Sequence, residues 1–96
     1  MLNLTFVTDP AAVCLDGSPY GYYYRPSLAA NGTNKWVLSM EGGGWCYNEE
    51  DCLGRANTTL GSSTDWPRHS AVGGLLDISS TTNPYLFTHN AVYLRY

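Results

Sequence analysis

The sequence predicts an α/β fold built from a strand, a glycine-rich loop, a helix and a second strand. Two observations support it: an apolar run at residues 35–40 leads into three consecutive glycines, and a β-rich segment at residues 91–96 follows an acidic helix start. A strand–helix–strand crossover connects parallel strands of one sheet. Because parallel strands are usually covered on both faces, we expect the strand at residues 35–40 to be central and buried.

Length and composition restrict the function classes. The chain has 96 residues, 44% of them hydrophobic, which is enough for one modest core and too little for two domains. Five Lys and Arg against eight Asp and Glu give a net charge of −3, which offers no basic surface to nucleic acid. No apolar stretch approaches the roughly 20 residues of a membrane-spanning helix. We therefore expect neither nucleic acid nor a membrane as a partner.

Before the glycines, the pattern predicts an N-terminal segment at residues 1–10 and then a hairpin. Residues 16–19 (DGSP) carry turn chemistry, since glycine permits positive φ and proline fixes φ. The aromatic run at residues 20–25 favours a strand. An Asn-Gly pair at residues 31–32 is typical of turns, which predicts a long-looped hairpin between this strand and residues 35–40.

After the glycines, the pattern predicts one helix and then mostly loops. Asn48 is placed to cap a helix whose next three residues are acidic, where negative charge offsets the helix dipole. We expect this helix over residues 48–59. Residues 61–84 are rich in Ser, Thr and Gly and predict loops, with a short helical turn at the apolar island of residues 72–76.

The glycine triplet at residues 42–44 is the first candidate site. Phosphate-binding loops carry Lys-Ser or Lys-Thr after their glycines, whereas Trp45 and Cys46 follow here, so the pattern does not favour nucleotide binding. The HGGG-type loop of esterases occupies the same position and donates backbone N–H groups to an oxyanion, with Glu41 here in place of the histidine. The triplet alone leaves an oxyanion hole and a structural turn as open interpretations.

The three cysteines suggest one local disulfide and one unpaired thiol. Cys46 and Cys52 flank five residues, and we interpret them as a disulfide that pins the glycine turn. A zinc site would need histidines nearby, and His69 and His89 lie far away in the sequence, so we expect no metal. Cys14 is either a buried thiol or, in an extracellular protein, the partner of a cysteine outside this chain.

Candidate catalytic side chains are scarce, because the nucleophile elbow Gly-x-Ser-x-Gly occurs nowhere in the chain. The residues that a triad would need lie in segments whose composition is typical of loops, and we expect them to form turns or caps. They are Ser62, Ser63, Asp65, His69, Asp77 and His89. Trp45, Tyr47 and Trp66 are the aromatic residues nearest to the glycines. They line a ligand pocket or fill the core beneath the loop, and we favour core filling.

Three N-glycosylation sequons begin at Asn3, Asn31 and Asn57. They predict a secreted glycoprotein, although chance also produces such sequons in a chain rich in Asn and Thr. The opening residues have no basic stretch and are interrupted by Asn and Thr, so we expect no signal peptide within this chain.

Several segments resemble the pectin acetylesterase family. They are residues 12–24 (AVCLDGSPYGYYY) and 36–46 (WVLSMEGGGWC), followed in the family's order by residues 52–55, 60–63, 65–67, 83–85 and 90–96. The resemblance implies an α/β-hydrolase fold and a serine carboxylesterase that removes acetyl groups from pectin, without a cofactor or metal. It also implies that the catalytic Ser, Asp and His lie beyond Tyr96. Residues 11–96 would then be the N-terminal part of the hydrolase domain, incomplete at its C-terminus and inactive alone.

The family pattern also implies roles for individual residues. Gly43 and Gly44 would donate their N–H groups to the oxyanion, with Gly42 and Trp45 flanking them against the substrate. The pattern implies the Cys46–Cys52 disulfide and pairs Cys14 with a cysteine directly after the strand that ends at residue 96.

The resemblance implies a partner as well: acetylated polysaccharide such as pectin, or another acyl ester. The protein would be secreted to the extracellular space or cell wall and would be a monomer at full length. The alternative is a small secreted, disulfide-stapled module that binds carbohydrate or another protein without catalysis. Such a module has a closed core, whereas the esterase fragment exposes an apolar sheet edge beside Tyr93 and Tyr96.

Overall fold

The computed structural model describes residues 1–30, 32–71 and 74–96. One mixed sheet contains the five strands β1 (Leu2–Phe6), β2 (Gly21–Arg25), β3 (Trp36–Met40), β4 (His69–Ser70) and β5 (Asn90–Leu94). The helix α1 (Glu49–Arg55) follows β3, and one turn of 3-10 helix spans Gly74–Leu76. The strand order across the sheet is β3-β5-β2-β1-β4. In its coarser form, a mixed sheet with a helix, the predicted α/β class is confirmed.

The predicted crossover is present between β3 and β5. These strands are parallel, and their register runs from Trp36 opposite Asn90 to Met40 opposite Leu94. The chain between them contains the glycine loop and α1. On its other side β5 pairs with β2 in the antiparallel sense, as β2 does with β1, and this makes the sheet mixed.

The hairpin predicted between residues 20–25 and 35–40 is wrong, because β5 lies between β2 and β3. Asn90 begins β5; its side chain accepts a hydrogen bond from the Ser27 N–H and donates one to the Thr33 carbonyl, both at 2.8 Å. The connection between β2 and β3 therefore wraps around the start of β5. The antiparallel neighbour that precedes β2 in the chain is β1, a strand that the sequence pattern did not indicate.

The turn predicted at residues 16–19 is confirmed. Gly17 has a φ of +86°, and the Asp16 carboxylate accepts a hydrogen bond from the Ser18 N–H at 2.9 Å. Hydrogen bonds from Ser18, first of all from its hydroxyl, lower the pKa of Asp16. The turn brings Val13 and Pro19 together as an isolated antiparallel bridge.

β3 is an edge strand, so the prediction that it is central and buried on both faces is wrong. Val37 and Ser39 are half-buried, whereas the alternate residues Trp36, Leu38 and Met40 are exposed, Met40 by 76%. One face of the strand is therefore uncovered, and α1 contributes no buried residue to the core.

The sheet buries one face and leaves the other open. Leu2, Tyr23 and Ala91 lie on the buried face, where Leu76 of the 3-10 turn joins them in the core. The opposite face, termed here the open apolar face, consists of Tyr22, Tyr24, Trp36, Leu38, Met40, Val92 and Leu94. Two of these rings, Tyr24 and Trp36, stack with centroids 5.8 Å apart.

α1 begins where the sequence predicts and ends earlier. The Asn48 side chain caps it by accepting a hydrogen bond from the Asp51 N–H at 2.8 Å. It ends at Arg55 rather than at residue 59, because Thr58 turns back and donates to the Arg55 carbonyl through both its N–H and its hydroxyl. The predicted helical turn is observed at Gly74–Leu76, while Val72 and Gly73 lie outside the described residues.

Candidate functional site

The glycine loop continues directly from β3. The Glu41 N–H donates to the Leu94 carbonyl at 2.8 Å, so contact with β5 extends to the residue before the first glycine. Gly44 has a φ of +70°, a left-handed conformation that glycine adopts without steric cost. At Gly43 the constraint is space, since a β-carbon there would lie 2.5 Å from the Tyr96 ring. The loop therefore needs glycine at both positions, for different reasons.

The predicted disulfide between Cys46 and Cys52 is confirmed, with the two Cα atoms 5.0 Å apart. It links the end of the glycine loop to α1, the helix that Asn48 caps. The loop and the helix are thus held together covalently on one side of the site.

Arg55 makes a second link between α1 and the loop. Its Nη1 donates to the Gly43 carbonyl at 2.6 Å and to the Gly44 carbonyl at 3.3 Å, and its Nη2 donates to the Trp45 carbonyl at 3.4 Å. The guanidinium carbon lies 5.4 Å from the centroid of the Tyr96 ring, within cation–π range. Three successive loop carbonyls therefore face the helix.

Glu41, which stands where the HGGG-type loop has histidine, holds the strand side of the loop. Its Oε1 accepts a hydrogen bond from the Tyr96 N–H at 3.0 Å and lies 3.0 Å from Arg95 Nε. The Nε–H makes no hydrogen bond, so Glu41 and Arg95 form an ion pair without that directed contact. The Arg95 guanidinium also lies 5.0 Å from the centroid of the Trp66 ring. The Glu41 carboxylate thus contacts Arg95 and Tyr96, the residues that directly follow β5.

The backbone N–H groups of Gly43 and Gly44 are the unoccupied donors of the glycine loop. No described residue accepts a hydrogen bond from either group, although Arg55 binds the carbonyls of both. Gly44 is exposed and Gly43 is half-buried beside Tyr96. Neighbouring N–H donors in a loop that is already held in place are what a developing oxyanion requires.

The aromatic residues near the glycines divide into two groups. Trp45 and Tyr47 are 83% and 84% exposed, so the expectation that they fill the core is wrong for both. Trp66 does fill the core: its ring meets Tyr20 edge-on at 5.9 Å, and its Nε1–H donates to the Thr59 carbonyl at 3.0 Å. Trp45 is therefore left as an exposed ring directly after the candidate donors.

Three of the six Ser, Asp and His side chains named for a triad have hydrogen-bond partners elsewhere in the fold, whereas His89 Nδ1 is buried without one among the described residues. Asp77 accepts a hydrogen bond from the Ser79 N–H at 2.9 Å, and His69 Nδ1 lies 2.6 Å from the Asn3 side-chain oxygen. The Ser62 hydroxyl bonds to that of Thr64. Within the described parts of the chain these contacts form no Ser-His-Asp arrangement.

Cys14 is a free, half-buried thiol. It lines a cavity of about 330 Å³ that is also lined by Cys46 and Tyr96. The resemblance places the partner cysteine of Cys14 directly after Tyr96. The Cys14 thiol and Tyr96 therefore line the same cavity.

Two of the three sequon asparagines can be located. Asn3 lies on β1 and Asn57 in the turn after α1, and both are exposed. Asn31 lies outside the described residues.

Among the residues that the structure describes, no three His, Cys, Asp or Glu side chains are grouped so as to hold a metal ion. No helix in the described ranges combines the length and apolar character of a membrane span.

Two residues of the site, Arg55 and Tyr96, were not predicted from the sequence. A cation in the last turn of a helix is common because it offsets the helix dipole, so Arg55 gives no distinctive signal. Tyr96 reaches Gly43 only because β5 lies beside β3.

Comparison with known proteins gives consistent matches. A family model described as Pectinacetylesterase matches residues 1–96. The human palmitoleoyl-protein carboxylesterase NOTUM is 39% identical over 97 residues, covering 99% of this chain and 19% of its own length. Pectin acetylesterases 5 and 4 of Arabidopsis thaliana are 40% and 41% identical, each over 92% of this chain and over 20% and 21% of their own lengths. The chain thus spans about a fifth of these relatives.

Proposed function

Because the chain belongs to the pectinacetylesterase family, we propose that it supplies the oxyanion loop of a carboxylic ester hydrolase that deacetylates pectin by a serine-hydrolase mechanism. The observation that carries this proposal is the pair of available N–H groups at Gly43 and Gly44, in a loop whose carbonyls Arg55 binds. The names of the relatives support the reaction class, since both carboxylesterases and pectin acetylesterases hydrolyse carboxylic esters.

In this mechanism the loop acts when charge develops on the substrate. A serine hydroxyl attacks the acyl carbonyl carbon and gives its proton to a histidine, and the carbonyl oxygen becomes negative. The N–H groups of Gly43 and Gly44 bind that oxygen. The bond to the sugar oxygen then breaks, the histidine returns the proton to it, and water repeats the sequence to release acetate. Gly42 and Trp45 border the acyl group.

The serine, aspartate and histidine come from outside residues 1–96. Two observations support this part of the proposal: the chain contains no Gly-x-Ser-x-Gly segment, and among the described residues the contacts of Ser62, His69 and Asp77 form no Ser-His-Asp arrangement. Cys14 pairs with a cysteine that follows Tyr96, and the cavity shared by Cys14 and Tyr96 is consistent with that pairing.

The protein acts outside the cell, in the cell wall, as a glycosylated monomer. The exposed positions of Asn3 and Asn57 and the disulfide between Cys46 and Cys52 support a secreted protein. The acyl ester is an acetyl group on polysaccharide, as the names of the Arabidopsis relatives suggest.

The alternative, a self-sufficient binding module, is less well supported. A finished module would be expected to close its core, whereas the open apolar face leaves Leu38 and Met40 exposed on an edge strand. The exposed rings of Trp45 and Tyr47 could stack on sugars in either case, so they do not decide between the two.

The experiment is a chimera in which this chain replaces the matching segment of Arabidopsis pectin acetylesterase 5. We expect the purified chimera to release acetate from acetylated pectin, while residues 1–96 alone release none. Gly44→Ala should lower kcat about 10²-fold, because a side chain at a φ of +70° displaces the donor. Gly54→Ala is the matched control, since a β-carbon there meets no atom within 4 Å.

Two results would contradict the proposal. A folded chimera without esterase activity would reject this chain as a functional oxyanion segment. Equal kcat values for the Gly44 and Gly54 variants would reject the loop as the site of oxyanion binding.

A further inference from the structure

The guanidinium of Arg55 binds the glycine loop from the side opposite to the N–H groups of Gly44 and Trp45. The peptide bonds here are trans, so the C=O and N–H of one peptide group point in opposite directions. The Gly43 carbonyl belongs to the same peptide group as the Gly44 N–H, and the Gly44 carbonyl to the same group as the Trp45 N–H. Because Arg55 binds both carbonyls, both N–H groups point away from it.

We propose that Arg55 is a positioning residue of the oxyanion loop, which orients and polarises the peptide group of the proposed donor Gly44 N–H and the next peptide group, which carries the Trp45 N–H. It acts through the loop and contacts no substrate. For its part in catalysis this inference rests on the proposed function; for its effect on the loop it rests on the contacts alone.

Electrostatics give Arg55 more than a packing role. A hydrogen bond from a cation to a carbonyl polarises the whole peptide group, and this makes the N–H at its other end a stronger donor. Three successive carbonyls receive such contacts, at Gly43, Gly44 and Trp45. The effect is present before the substrate reacts, so no reorganisation of the donors is needed when charge develops.

Several contacts hold the guanidinium in this position. Arg55 lies at the end of α1, and the Cys46–Cys52 disulfide ties that helix to the loop. The Tyr96 ring, which packs against Gly43, lies 5.4 Å from the guanidinium carbon. A lysine would bring the same charge but would lack the planar fork that reaches separate oxygens from two nitrogens.

The first test measures the loop itself in the full, disulfide-bonded chain labelled with ¹⁵N. In Arg55→Gln we expect the amide resonances of Gly44 and Trp45 to move and their ¹⁵N order parameters to fall from a rigid value of about 0.85 to below about 0.6, with the amides of β2 and β5 unchanged. The values for Arg55→Lys should lie between those of the parent and those of Arg55→Gln. Arg68→Gln, which changes an exposed arginine, should give the same values as the parent. Unchanged Gly44 and Trp45 amides in Arg55→Gln would overturn the inference.

The second test separates positioning from simple stabilisation, using the chimera described above. Arg55→Gln should lower kcat by about 10-fold to 10²-fold with KM and melting temperature little changed, because the donors are misaimed while the pocket persists. Arg55→Lys should restore part of kcat. A higher KM and a lower melting temperature with kcat unchanged would overturn the positioning role.

The two tests fail separately. If the parent chimera is inactive, the proposed function fails, and the amide measurement still decides whether Arg55 orders the loop. If the chimera is active and Arg55→Gln keeps the parent kcat, the inference fails and the proposed function stands.

Discussion

The ring of Tyr96 fills the space that a side chain at Gly43 would need: a β-carbon at residue 43 would lie 2.5 Å from Cγ of Tyr96. This contact joins the glycine loop to the end of the strand that pairs with β3. It explains why the second glycine of the triplet is required even though its φ is not left-handed. It also means that the position of the loop depends on how β5 ends.

Gly43→Ala should destabilise the fold by about 1–3 kcal/mol, because the added methyl group overlaps an aromatic ring that cannot move without leaving Arg55. Gly42→Ala should change stability far less, since a β-carbon there meets nothing within 4 Å. Urea denaturation of both variants measures the difference. Equal urea midpoints for the two variants would show that the Tyr96 ring moves aside at no cost in stability, which would contradict the prediction.

Removing the disulfide by the pair Cys46→Ser and Cys52→Ser should lower the free energy of unfolding by about 2 kcal/mol, the loop-entropy value for so short a closure. Amide exchange should accelerate most in and just after α1, where the N–H groups of Cys52 and Ala56 are hydrogen-bonded. Cys14→Ser, which removes only a free thiol, is the control. If Cys14→Ser lowers the free energy of unfolding as much as the double variant does, the disulfide does not hold the loop.

Stability should fall at alkaline pH. Burial is the first cause that raises the pKa of Tyr20, Tyr23 and Tyr93 above the usual value of 10.0. A raised pKa means that the folded chain holds these protons more tightly than the unfolded chain does. Their contribution to stability is therefore complete below pH 10 and is lost as pH rises through the raised values.

A tyrosinate absorbance titration, with and without urea, measures this effect. The native chain should ionise part of its tyrosines later than the unfolded chain, together with loss of the sheet signal in circular dichroism. Tyr23→Phe should reduce the delayed fraction. Superimposable native and unfolded titrations would disprove the prediction.

The open apolar face should make the isolated chain self-associate. Leu38→Lys combined with Met40→Lys should weaken association by about tenfold or more at little cost in stability, because both side chains are already exposed. Leu53→Lys, an exposed apolar position on α1, is the control. Sedimentation velocity over a concentration series measures the change, and a monomeric parent chain would argue for the self-sufficient module.

Local chemistry made part of this fold predictable from sequence. The Asn48 cap, the turn at Gly17 and the short Cys46–Cys52 loop depend on residues close together in the chain, and all three are observed. The crossover between β3 and β5 followed from the order of elements, since strand–helix–strand units connect parallel strands.

Partners distant in sequence were not predictable in the same way. The alternation of apolar residues identifies a strand but does not say which strand lies beside it, so a hairpin was expected where β5 inserts and β3 was expected at the centre. The same limit applies to the site: the glycines were visible in the sequence, whereas Arg55 and Tyr96 were not.

The glycine triplet, the helix cap, the disulfide and the resemblance to an esterase family depend on residue identity at short spacing, so they could be recognised in the sequence. The contacts of Arg55 with the loop carbonyls, the packing of Tyr96 on Gly43 and the open sheet face became visible only in the folded chain. The physical reason is that strand order and side-chain reach depend on how β5 docks between β2 and β3, a long-range choice that no local pattern records.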